Sequence, residues 1–69
     1  MQADHLPTPG YSRLRDVLEI FPISRSAWYA AIEKGRVLPA TKLGARTAVW
    51  ANAYLNELLD RIESGEQVL

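Results

Sequence analysis

Sixty-nine residues suffice for one small domain, and a chain of that size buries only roughly 60% of the surface its unfolded form exposes. It has no cysteine and one histidine, His5, which excludes disulfides, thiolate zinc and the usual zinc ligand set, so neither metal nor cofactor is expected. Eight basic residues balance eight acidic ones, and 48% of residues are hydrophobic; a packed core is expected, and no apolar run reaches the ~18 residues of a membrane span.

The balance hides a polarity. From Arg13 to Arg46 seven basic residues face three acidic ones, whereas after Ala51 four acidic residues face only Arg61. A basic middle and an acidic end suit a protein that offers one surface to a polyanion. The opening lacks the apolar h-region of a secretory signal, and the absence of cysteine fits the cytoplasm.

Residues 1–10, "MQADHLPTPG", contain two prolines and a glycine and read as a flexible N-terminal arm. Ser12 is the expected N-cap of a first helix running to about Ile20, with Leu14, Val17 and Leu18 on one buried stripe. Pro22 stops that helix and leaves the short turn Phe21 to Ile23. Ser24 is the expected cap of a second helix, whose inward face is Trp28, Ala31 and Ile32, and Gly35 ends it. Trp28 and Tyr29 are adjacent, and neighbours on a helix point about 100° apart. Trp28 is therefore assigned to the core, and Tyr29 to the outside beside Arg25 and Ser26.

Pro39 excludes helix from the next stretch. Thr41–Leu43 and Thr47–Trp50 are β-prone runs around Gly44-Ala45-Arg46, which suits a hairpin with Arg46 at its tip. Leu43 and Trp50 are expected to face the core and Lys42 the solvent. Asn52 is the expected cap of a third helix, with Tyr54, Leu55, Leu58, Leu59 and Ile62 along its apolar side. Ser64-Gly65 closes it, and residues 64–69 read as a C-terminal tail. The fold class expected is mainly α with a small β-hairpin: a winged helix-turn-helix over residues 11–63, in the order helix, turn, helix, hairpin, helix.

In such a domain the leading part of the second helix enters the major groove. Arg25, Ser26 and Tyr29 carry groups that read base edges or hold phosphates, and Arg36, Lys42 and Arg46 are expected phosphate contacts. Arg25 is telling, because a cation in the first helical turn opposes the helix dipole and is better explained by an external anion. Catalysis finds no support. The lone histidine lies in the arm, the serines are accounted for by capping, and "PATKLGART" lacks phosphate-loop spacing.

The run "SRLRDVLEIFPISRSAWYAAIEKGRVLPATKLGARTAVW" resembles the AlpA family of small prophage regulators, within the wider group of MerR-like winged-helix proteins that includes excisionases. The pieces that match are Arg13-Leu14 with Val17-Leu18, Ser24-Arg25-Ser26, Trp28-Tyr29, Gly35-Arg36, Lys42-Leu43-Gly44 with Arg46, and Trp50. The resemblance implies a sequence-specific, non-enzymatic DNA-binding protein of a prophage or other mobile element. It would act at the bacterial nucleoid as a transcriptional regulator, an excisionase or both, with duplex DNA, further copies of itself and an integrase as partners. Two departures stand out: Ala30 occupies a position where the family often carries a basic or larger polar residue, and the third helix is acidic. An alternative on the same fold is an interaction module docking an integrase, a repressor or a terminase subunit.

Overall fold

The computed structural model describes residues 6–69; His5 and the first half of the expected arm lie outside the described residues. The chain forms β1 (Tyr11–Arg13), α1 (Leu14–Ile20), α2 (Arg25–Glu33), β2 (Thr41–Gly44), β3 (Thr47–Ala51) and α3 (Asn52–Glu63). The order helix, turn, helix, hairpin, helix holds. The sheet does not match expectation, because β1 joins the hairpin on the far side of β3, giving three antiparallel strands in the order β1-β3-β2. The fold is therefore mixed α/β, with three helices and a three-stranded sheet.

Local chemistry explains the helix ends. The Ser24 hydroxyl accepts a hydrogen bond from the N–H of Ala27 at 3.0 Å, the expected cap of α2, worth ~1 kcal/mol. At the other end Gly35 adopts φ +77°, its N–H donates to Ile32 O and the N–H of Arg36 donates to Ala31 O. That pair of bonds is a Schellman closure, which a residue with a Cβ forms only under strain. Pro22 follows Phe21, the C-cap of α1, and the N–H of Phe21 makes the last bond of that helix, to Val17 O.

Two caps were misplaced, for one reason. Ser12 is not the N-cap of α1; it lies in β1, and Arg13 caps the helix without a side-chain bond. Asn52 is not the N-cap of α3 but its first residue, after Ala51. The two side chains instead bond each other, Ser12 Oγ donating to Asn52 Oδ1 at 2.6 Å in the interior. Asn52 Nδ2 also donates to Pro7 O, and one turn on Asn56 exchanges two bonds with the backbone of Leu6. Buried polar groups need partners, and here the partners are the incoming chain. The described half of the arm is thereby tied to α3.

The core lies between the helices and one face of the sheet. Trp28 from α2 meets Trp50 from β3 edge to face, centroids 5.6 Å apart, and Phe21 lies 5.6 Å from Trp28 on the other side. Such pairs add ~1 kcal/mol each beyond the area they bury. Val17, Leu55 and Leu58 complete this centre, all fully buried. Tyr54 packs on the core only partly, because its hydroxyl accepts the Leu38 N–H at 2.9 Å near the surface. Ile62 remains 37% exposed at the end of α3, whereas Val68, in the stretch read as a tail, is 3% exposed and belongs to the core.

Strand register decides the sheet's faces. Ser12 opposes Trp50, and Lys42 opposes Ala48; cross-strand partners share a face, so Lys42 lies on the same side as Trp50. Arg13, Thr41 and Val49 form a row on the other side. The expected orientation of Leu43 is overturned: it is 60% exposed. Lys42 lies on Trp50's side, so its neighbour Leu43 falls on the opposite one, and the pairing shift between Lys42 and Gly44 makes Leu43 the extra residue of a bulge.

Candidate nucleic-acid interface

All six side chains singled out in the sequence reach solvent, and they occupy three places. Arg25, Ser26 and Tyr29 share the outer face of α2 near its start. Arg25 is the first helical residue, and Tyr29 follows one turn later, lying between Arg25 and Ser26 around the axis. Tyr29 is 43% exposed and its neighbour Trp28 is fully buried, the division expected from their adjacency. The cap bond of this helix goes to Ser24, leaving the Ser26 hydroxyl on the outer face.

Arg36 lies elsewhere. It lies beyond the C-terminal end of α2, a helix nine residues long that rises about 14 Å. It lines a cleft of about 480 Å³ with Leu38, Tyr54, Glu57 and Arg61, so it borders the acidic third helix. Arg61 is already engaged: its Nε donates to Glu66 Oε2 at 2.8 Å and its Nη2 contacts the same oxygen. This bond from Arg61 lowers the Glu66 pKa, and reciprocally the carboxylate raises that of Arg61.

The hairpin forms the third place. Ala45 and Arg46 make its two-residue turn, and Lys42 stands on the exposed strand β2. Lys42 shares a face with Trp50, and Trp50 packs on Trp28 of α2, so the Lys42 side of the hairpin is the side that carries α2. Arg25, Arg36, Lys42 and Arg46 form no ion pair with another described residue. From Lys34 to Asn56 the chain contains no acidic residue at all. Cations without an ion pair among the described residues can hold phosphates, and the exposed Tyr29 phenol and Ser26 hydroxyl are groups that can meet base edges.

The loop that joins α2 to the hairpin is held by two bonds absent from the sequence reading. Leu38 O accepts from Trp50 Nε1 at 3.0 Å, while Leu38 N–H donates to the Tyr54 hydroxyl. The hairpin therefore departs from a fixed point relative to α2 and α3. Sequence reasoning also missed Tyr11 and Arg13, both exposed on β1. Three residues with one polar inward side chain give too little alternation to signal a strand.

No group of three or more metal-ligating side chains occurs among the described residues, and none of their helices is long and apolar enough to cross a membrane. Compared with known families, residues 10–62 match the model described as Prophage CP4-57 regulatory protein (AlpA). No curated protein and no solved structure matches the chain.

Proposed function

The chain belongs to the AlpA family of prophage regulatory proteins, and from that premise we propose that it binds duplex DNA as a winged helix-turn-helix. In this reading α1 and α2 are the helix-turn-helix, α2 enters the major groove, and the β2–β3 hairpin is the wing. Arg25, Ser26 and Tyr29 select bases, while Arg36, Lys42 and Arg46 hold phosphates. The observation that carries the proposal is the split between Trp28 and Tyr29: one indole fixes the helix in the core while the adjacent phenol stands outside with Arg25 and Ser26.

The biological role that follows is control of a mobile element, as transcriptional regulator, excisionase or both. One reading head of this size discriminates poorly against a genome, so paired sites filled by several copies are expected. Fluorescence anisotropy on duplexes from the DNA flanking its own gene tests the reading. Arg25→Ala combined with Tyr29→Ala should abolish discrimination between these duplexes and scrambled ones; retained discrimination would refute the site. An excision assay with an integrase of the same mobile element separates the two roles.

A second reading draws on the acidic, exposed Glu57 on α3: a module docking a protein such as an integrase, a repressor or a terminase subunit. A stable protein complex without any salt-sensitive DNA binding would favour it.

A further inference from the structure

We propose that Leu43 is an apolar contact of the wing, placed by the β2 bulge against the sugar walls of the minor groove; this rests on the DNA-binding reading above. Leu43 is the most exposed large apolar side chain among the described residues, at 60%. Its position is built rather than incidental. Lys42 opposes Ala48 and Gly44 opposes Thr47, with a register shift between them, so Leu43 is the one residue of β2 taken out of the pairing. Bulges of this kind re-aim a side chain and strengthen the local twist.

The turn explains why the hairpin contains one. Ala45 and Arg46 both have negative φ, which excludes the primed turns that match the natural twist of a two-residue hairpin. The extra residue in β2 takes up the mismatch, and it falls at Leu43, which as the neighbour of Lys42 lies on the face opposite Trp50.

Charge identifies the occupant. Lys42 precedes Leu43 and Arg46 follows three residues on, within a stretch, Lys34 to Asn56, that has no acidic residue. An apolar side chain framed by cations suits a polyanion with apolar walls. In duplex DNA, phosphates rim the minor groove and deoxyribose C–H surfaces line it, and leucine is among the side chains that enter it. With α2 in the major groove, the hairpin is left for the adjacent minor groove.

The test measures affinity, its salt dependence and a hydroxyl-radical footprint for wild type, Leu43→Ala, Leu43→Gln, Leu43→Met and Arg46→Ala. Leu43 is a surface residue, so thermal melting should confirm that every variant folds. Expected are an about tenfold loss of affinity for Leu43→Ala and Leu43→Gln, with the slope of log K against log salt unchanged, because no charge is removed. Leu43→Met should stay within about twofold of wild type, whereas Arg46→Ala should lower the slope by about one. Footprint protection at the minor-groove edge should weaken in Leu43→Ala alone among the leucine variants that keep an apolar side chain.

Unchanged affinity and footprint in Leu43→Ala, with wild type binding normally, would overturn the contact and leave the DNA reading intact. A Leu43→Ala variant whose only change is weaker self-association in sedimentation would overturn it in favour of a protein contact. Loss of discrimination in Arg25→Ala with Tyr29→Ala tests the α2 site separately. A wild-type protein that binds no duplex at any salt defeats both proposals.

Discussion

The indole N–H of Trp50 donates to the backbone carbonyl of Leu38 at 3.0 Å. Trp28, the other core indole, has its N–H buried without an acceptor among the described residues. The two tryptophans bury similar surface and pack on each other, yet only one of them fixes the loop that leads to the hairpin.

This difference is measurable by urea denaturation. Trp50→Phe removes ring volume and also leaves the Leu38 carbonyl without its donor. Trp28→Phe removes ring volume together with an N–H that gains nothing by burial. Trp50→Phe should therefore be the more destabilising by about 1 kcal/mol, and equal losses would contradict the assignment of the bond.

Gly10 is a steric requirement. A Cβ there would lie 2.9 Å from Asn52 Nδ2 and 3.2 Å from Pro7 O. Since Nδ2 donates to Pro7 O, relieving the clash displaces the side chain that joins the incoming chain to α3. Gly10→Ala should cost roughly 1–3 kcal/mol. A double-mutant cycle of Ser12→Ala and Asn52→Ala should show a coupling of at least about 0.5 kcal/mol, as expected for a buried bonded pair.

For DNA binding, four cations at the proposed interface predict a salt slope of about −4 per protomer. Arg36 is the critical member, because it stands beside Glu57 rather than near the leading turn of α2. Arg36→Ala should make the slope shallower by about one; an unchanged slope would assign Arg36 to the cleft with α3 and not to DNA.

Acid should loosen the end of α3. The N–H of Glu66 donates to Arg61 O while the two side chains pair, so an ion pair stands where Schellman closures often carry an apolar contact. Glu66 has a lowered pKa in the folded chain. Its contribution is fully present above the unfolded carboxylate value and is lost as pH falls through the depressed folded one. The effect is small because both side chains face water. Amide exchange near Gly65 should quicken in acid relative to the rest of α3, and Glu66→Gln should remove that dependence.

Most of the helical framework was legible from neighbouring residues. Ser24 capping Ala27, Gly35 closing α2, Pro22 stopping α1 and the leucines of α3 all act within about four residues of themselves, the range over which sequence pattern reports directly. The outward position of Arg25, Ser26 and Tyr29 was legible for the same reason, once Trp28 was given to the core.

The sequence by itself thus determined the helices, their ends and the face that α2 presents, because these follow from contacts between near neighbours along the chain. Only the tertiary structure decided that Ser12 seeks Asn52, forty residues away, instead of capping a helix, and that Tyr11–Arg13 add a strand to the hairpin. It also decided that Leu43 turns outward. Which face a strand residue takes depends on its register against the partner strand, and that register puts Lys42, not Leu43, on the side of Trp50.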